Sequence, residues 1–177
     1  MRYLIVCGGK IDKEFGLNEI KTDGIDVIIA ADSGMDFLYE NGVTPDIIVG
    51  DFDSATTKAL EFFERKGQTE IHRLNPVKDD TDTEYAIRLA IKHGARSIVV
   101  IGATGSRIDH VLGNISLLGI GLQSKTDISI IDANNRIRMA DKPVTIEKLS
   151  QYGRFVSLIA LTDDNEVSLK GFKYPVT

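Results

Sequence analysis

One cysteine, no tryptophan and four prolines occur in the 177 residues. A single thiol excludes a disulfide within the chain, so the fold has to rest on its apolar core. Cys7 ends the apolar run Tyr3-Leu4-Ile5-Val6-Cys7. It reads as a buried small hydrophobe rather than a reactive thiol, because no histidine or basic residue adjoins it to lower its pKa. Nowhere do about 18 apolar residues run together, which argues against a membrane-spanning helix, and the first apolar run is too short for a secretory signal. The expectation is a cytoplasmic, soluble chain with no membrane partner. Basic charge is also in short supply: 21 Lys and Arg stand against 26 Asp and Glu, a formal net charge of −5. That sign argues against general affinity for nucleic acid. The acids gather between Asp32 and Asp82, and a protein presenting them to phosphates would need a divalent cation in between. Two nucleotide signatures, GxxxxGK[ST] and GxGxxG, are missing as well.

What is present is a chain able to bury a substantial core, with 42% hydrophobic and 27% charged residues and no low-complexity run. Short apolar runs at Arg2 to Cys7, Asp26 to Ala30, Asp46 to Val49, Glu70 to Arg73 and Ser97 to Ile101 predict strands. Helical spacing predicts helices at about Met35 to Asn41, Thr56 to Lys66, Asp82 to His93 and Asp109 to Leu122. The last of these carries Val111, Leu112, Ile115, Leu118 and Leu122 as its apolar face. Alternation of the two element types predicts an α/β fold with a mainly parallel sheet over residues 1–125. From Thr126 the pattern turns to short strands, with a hairpin around Asn134-Asn135 and strands at Val144 to Ile146, Phe155 to Ala160 and Val167 to Leu169. Residues 126–177 are therefore expected to form a smaller, all-β C-terminal domain.

Chemistry concentrates where strands pass into helices. Gly50-Asp51-Phe52-Asp53-Ser54 follows Ile47-Ile48-Val49, so Asp51 and Asp53 would emerge at the carboxyl end of a strand, the end at which open α/β sheets bind ligands. Two carboxylates at i and i+2 suit a hard cation such as Mg2+, although aspartates also serve simply as turn residues. In Lys78-Asp79-Asp80-Thr81-Asp82-Thr83-Glu84, Thr81 and Glu84 have capping-box spacing, which places Asp82 and Thr83 in the first turn. Asp82 there is favoured by the helix dipole with or without a ligand, and Lys78 could reach an anion at the exposed amides. Gly102-Ala103-Thr104-Gly105-Ser106-Arg107-Ile108-Asp109-His110 joins a strand to a helix. It offers hydroxyls from Thr104 and Ser106 and the planar fork of Arg107 to a phosphate, with His110 a weaker candidate for a nucleotide contact. Asp32-Ser33-Gly34 adds one more carboxylate at a strand end. Turn preference explains one such junction; four together point to an active site.

Taken in order and spacing, Ala31-Asp32-Ser33-Gly34, Thr44-Pro45-Asp46 with Gly50-Asp51-Phe52-Asp53-Ser54, Asp79-Asp80-Thr81-Asp82 and Gly105-Ser106-Arg107-Ile108-Asp109-His110 resemble the thiamine pyrophosphokinase family. The resemblance implies a Rossmann-like N-terminal domain that binds ATP and Mg2+. It also implies a C-terminal β-sandwich that helps form a thiamine site across a homodimer interface. By the same comparison Asp51, Asp53 and Asp82 hold the metal, and Asp32, Ser33, Thr83, Thr104, Ser106, Arg107 and His110 surround the nucleotide. Lys78 and Thr81 lie near the polyphosphate, while Asp109 lines the site and Asp79 or Asp109 could accept the thiamine proton. Relatives of this kind continue through further strands bearing a Ser-Asn segment near the thiamine pocket. The run here stops at Thr177, so the second domain is expected to be C-terminally short.

Two other readings fit parts of the pattern. An aspartyl-phosphate phosphatase would use Asp51 as nucleophile and Asp53 as acid, and a non-catalytic adenine-nucleotide sensor would keep the fold without turnover. The short C-terminal run also predicts a homodimer, with Phe155, Val156, Leu158 and Ile159 supplying apolar surface.

Overall fold

The computed structural model describes residues 1–174 apart from Ser54, Lys78, Asp79, Ser106 and Asp164. Seven strands form one sheet: β1 (Arg2–Val6), β2 (Val27–Ala31), β3 (Ile47–Gly50), β4 (Glu70–Arg73), β5 (Ser97–Ile101), β6 (Asp127–Ile131) and β7 (Arg136–Arg138). Five helices connect them: α1 (Lys13–Ile20), α2 (Gly34–Glu40), α3 (Thr57–Lys66), α4 (Asp82–Lys92) and α5 (Ile108–Ser124). The strand order is β4-β3-β2-β1-β5-β6-β7, and every pair is parallel except β6 with β7.

The continuous apolar runs are explained by burial on both faces, as a parallel sheet with helices on either side requires. On one face Tyr3, Ile5, Ile29, Val49, Ile98, Val100 and Ile130 pack with Ala86, Ile87 and Ala90 of α4 and Leu118 of α5. On the other, Leu4, Val6, Ala30, Ile48 and Ile101 meet Met35 and Leu38 of α2 and Ala59 and Phe63 of α3. Leu4, Ile5 and Val6 are fully buried, which makes β1 the centre of the core.

The five expected strands and four expected helices are present, with ends shifted by a residue or two. Helix α1 was not expected. Its Asp12 cap accepts a hydrogen bond from the Phe15 amide, and Gly16 stands where a Cβ would lie 2.6 Å from the Phe37 ring, so glycine allows α1 to close on α2. The apolar face expected on α5 is also corrected. Leu118 is buried, but Leu112 is 59% exposed, because α5 seats Gly121 against Ile128 and the Thr126 carbonyl and thereby turns Leu112 outward.

The antiparallel stretch expected from Thr126 begins inside the main sheet instead: β6 lies parallel to β5, and only β7 turns back on it. Beyond Arg138 the described residues contain no strand at 144–146, 155–160 or 167–168, and Leu169 makes a single isolated bridge. Backbone in this stretch lacks a neighbouring strand to satisfy its polar groups, and Phe155, Leu158 and Ile159 are exposed. Tyr152 is the anchor there, its hydroxyl donating to the Asp132 carbonyl and its ring lying 4.8 Å from the Arg136 guanidinium carbon. Among the described residues no helix is long and apolar enough to cross a membrane.

Candidate active site at the carboxyl end of the sheet

Six parallel strands deliver six loops to one end of the sheet. The strand order reverses at β1, since β2, β3 and β4 lie to one side and β5 and β6 to the other. The crevice between the loops after β1 and β5 is thus the position where such sheets bind ligands. Here the backbones nearly touch: the Gly9 amide donates to the Gly102 carbonyl at 2.9 Å, and a Cβ on Gly9 would lie 2.3 Å from that oxygen. Gly102, at φ 70°, would likewise place a Cβ 2.3 Å from the Cys7 carbonyl. Next door, the Ser33 hydroxyl lies over Gly8, and Gly34 packs its backbone against the Val6 carbonyl, where a Cβ would come within 1.9 Å. Only glycines permit these crossings.

Beside the crevice stand three carboxylates. Asp32, Asp51 and Asp53 each offer an oxygen within 4.8 Å of the others, with Asp32 and Asp51 partly buried and Asp53 exposed. Two unusual backbone conformations present them: Asp32 sits at φ 48° and Phe52, between Asp51 and Asp53, at φ 65°. Aspartate tolerates this left-handed region, but for a bulky phenylalanine it is rare and strained, and strain of this kind gathers at functional sites. The Asp32 amide is tied to the Val49 carbonyl at 2.7 Å and the Asp53 amide to the Asp51 carboxylate at 3.2 Å. An oxygen-only donor set at this spacing fits a small hard cation, Mg2+ above all.

The remaining expected residues divide. Thr81 caps α4, its hydroxyl oxygen accepting from the Glu84 amide at 3.2 Å, as the capping-box spacing anticipates. Asp82 occupies the first turn of α4, outside the group of three, and its charge acts on Cys7. Thr83 points its hydroxyl at Cys7 Sγ, 3.4 Å away, locking the start of α4 to the end of β1. Burial pushes the Cys7 thiol up to about 11; the Thr83 contact opposes this weakly and the Asp82 charge adds to it. The thiol is therefore neutral and inert, in keeping with its reading as a hydrophobe. Arg107 and Asp109 form an exposed ion pair at the start of α5, with Nη2 to Oδ2 at 2.6 Å. That hydrogen bond holds the Asp109 carboxyl below its ordinary range and raises Arg107. His110 is exposed beside them. Lys78, Asp79 and Ser106 lie outside the described residues, as does Ser54. The N-cap of α3 is Thr56, which binds the Asp36 carboxylate through its amide and hydroxyl.

Thr104 donates to the carboxylate of Asp132 at 2.9 Å, across the ends of β5 and β6. Burial alone would raise Asp132, but hydrogen bonds from the Asn134 amide, Thr104 and Asn135 outweigh it and hold the carboxyl below its ordinary value. Asn114 of α5 donates to the Ala103 carbonyl at 2.8 Å and fixes the same loop from behind. Asp132 and the Gly8-Gly9 turn are sequence features not anticipated as part of the site. Both follow apolar runs, the signal that identified Asp32 and Asp51, but β6 had been assigned to a second domain and the glycines carry no side chain to attract notice.

Comparison with known proteins follows the same ground. Residues 21–131 match the family model described as thiamin pyrophosphokinase, catalytic domain. A thiamine pyrophosphokinase of Bacillus subtilis strain 168 is 36% identical over 157 residues, covering 88% of this chain and 72% of the relative. The crystal structure of thiamine pyrophosphokinase from Bacillus subtilis superposes with a TM-score of 0.68 at 31% identity, over 78% of this chain and 64% of that one. That of a probable thiamine pyrophosphokinase from Staphylococcus saprophyticus gives 0.61 at 34% identity, over 78% and 68%. The chain thus spans just under two thirds of the solved Bacillus chain. The phosphatase and nucleotide-sensor readings gain no support from these relatives. Since the matched stretch runs from before β2 to the end of β6 and includes the three-carboxylate cluster, the chain belongs to the thiamine pyrophosphokinase family.

Proposed function

We propose that this chain transfers a pyrophosphoryl group from ATP to the hydroxyl of thiamine, giving thiamine pyrophosphate and AMP. The observation that carries the reading is the convergence of Asp32, Asp51 and Asp53 beside the β1–β5 crevice, in a chain of this family. Asp51 and Asp53 are the proposed magnesium ligands, with Asp32 added by its proximity and Asp82 contributed from the start of α4. Magnesium, when bound, neutralises phosphate charge and orients the polyphosphate for displacement.

The protein's own part is positioning. Gly9 and Gly102 let the β1 and β5 loops meet and so fix the floor of the crevice over which the polyphosphate would lie. Thr104, aimed by Asp132, and Arg107 at the start of α5 would hold the nucleotide, with Lys78, Thr81, Thr83, Ser33, Ser106 and His110 around it. Attack by the thiamine hydroxyl on the β-phosphorus of ATP forms the new P–O bond as the bond to AMP breaks. Asp109 is a poor proton acceptor while Arg107 depresses it, so its role is to orient the arginine fork; Asp79 remains the other candidate base. The exposed side chains of Phe155, Val156, Leu158 and Ile159 suit a homodimer in which the region after Thr126 contributes to the thiamine pocket. The reaction would take place in the cytoplasm.

The test is direct. Incubation with ATP, Mg2+ and thiamine followed by mass analysis should show thiamine pyrophosphate and AMP in equal amounts. ADP as the nucleotide product would mark attack at the γ-phosphorus and refute the proposal.

A further inference from the structure

Phe52 is a bulky residue held at φ 65° between two carboxylates, and something must offset the cost of keeping it there. Relaxation to negative φ would turn the flanking peptides over and swing Asp51 and Asp53 apart. The register of β3 with β4 sets Gly50 opposite Arg73, so the β4 strand end lies alongside this turn. The Phe52 ring folds back over Gly50, where a Cβ would meet ring carbons at 3.1 and 3.2 Å, and packs against the core beneath α3. The Arg73 guanidinium carbon stands 5.4 Å from the ring centroid. Glu64 of α3 pairs with that guanidinium and fixes it in place.

We infer that Arg73 is a positioning residue: clamped by Glu64, it holds the Phe52 ring down and so keeps Asp51 and Asp53 facing Asp32. The inference rests on the metal-site reading given above, but its cause is the shape of the turn. The charge of Arg73 works in the opposite sense. A cation near the cluster repels a divalent ion, so charge removal alone would tighten metal binding.

That opposition of signs makes the experiment decisive. Mn2+ titrated into the full chain and followed by electron paramagnetic resonance gives the dissociation constant, and amide hydrogen exchange of residues 51–53 in metal-free protein reports the turn. Arg73→Ala should raise the Mn2+ dissociation constant about three- to fivefold, the worth of an exposed cation–ring contact, and speed exchange at the turn. The KM for thiamine should not move. Arg73→Lys should recover both readouts, since an ammonium can take the same place, as Lys66 does 5.8 Å from the Phe62 ring centroid. Unchanged exchange in Arg73→Ala, or a lower Mn2+ dissociation constant, would overturn the inference; so would failure of lysine to rescue. If Asp51→Asn leaves Mn2+ affinity intact while Arg73→Ala still loosens the turn, the metal reading fails and the clamp stands.

Discussion

Gly9→Ala should separate the two loops of the crevice while leaving the sheet folded. Gly9 lies just beyond β1, outside the core, and it has an ordinary negative-φ backbone, so the substitution acts through space alone. An added methyl would sit 2.3 Å from the Gly102 carbonyl oxygen and 2.7 Å from that of Thr104. A carbon needs about 3.3 Å from such an oxygen, so the β1 and β5 loops would have to part by about 1 Å. Gly102 cannot yield alone, because it is itself packed on the Cys7 carbonyl at positive φ. Overpacking of this kind costs about 1–3 kcal/mol of stability. Its effect on the reaction should be larger: misplacement of Thr104 by about 1 Å is enough to lower kcat/KM for ATP about a hundredfold. Gly105→Ala is the control, since among the described residues its methyl would meet Lys10 and Gly9 at ordinary contact distances of 3.5 and 3.8 Å. It should change the rate by no more than about twofold. Steady-state production of AMP, with circular dichroism to confirm the fold, measures both variants. Wild-type kcat/KM in Gly9→Ala would refute the claim that the crevice is the nucleotide site.

Asp32→Asn keeps the shape of the side chain but removes ligand charge, and turnover should fall about a hundredfold or more with much of the loss seen as a higher Mg2+ requirement. Arg107→Lys retains charge but loses the planar fork, so the KM for ATP should rise in steady-state assays even though the exposed pair with Asp109 adds little to stability. Asp132 has a folded-state pKa below its ordinary value. Its contribution to stability is therefore complete above the unfolded value of about 3.9 and is lost as pH falls through the lower folded value. Thermal midpoints measured across this acid range should fall less steeply in Asp132→Asn than in the parent chain.

The parallel core was legible because its chemistry is local. Runs such as Ile47-Ile48-Val49 bury on both faces and end in Gly50-Asp51, so strand, turn and carboxylate can all be read from one stretch. The cap at Thr81 is legible for the same reason, its hydroxyl accepting from the Glu84 amide three residues on. Helix α1 was not, because its fit depends on Gly16 meeting Phe37, a contact between distant residues. The membership of the carboxylate cluster shows the same divide. Sequence spacing pairs Asp51 with Asp53, but it is the alignment of β2 beside β3 that brings in Asp32, and the start of α4 turns Thr83 toward Cys7. The segment after Arg138 has strand-like composition, yet composition supplies no partner for its backbone, and the described residues there remain without a sheet.

The distribution of backbone compromise across the sheet argues for the same conclusion from an independent direction. At the carboxyl end, Asp32 and Phe52 take left-handed conformations, and Gly9, Gly34 and Gly102 allow backbone crossings that no side chain would tolerate. Among described non-glycine residues the other positive φ is Lys125, a helix C-cap, where that conformation is an ordinary way to end a helix. The remaining positive-φ glycines among the described residues, Gly24, Gly42, Gly67, Gly94 and Gly171, have open space where a Cβ would stand, so they ease turns rather than permit contacts. At the other end Gly121 packs on the Thr126 carbonyl where a helix closes, but the strained non-glycine turns that cap no helix, Asp32 and Phe52, both stand at the carboxyl end. Holding three carboxylates within 4.8 Å of one another is itself unfavourable in the absence of a cation. A chain that maintains strained turns to bring like charges together is arranged for what binds between them, and this ties the carboxylate cluster to function rather than to stability.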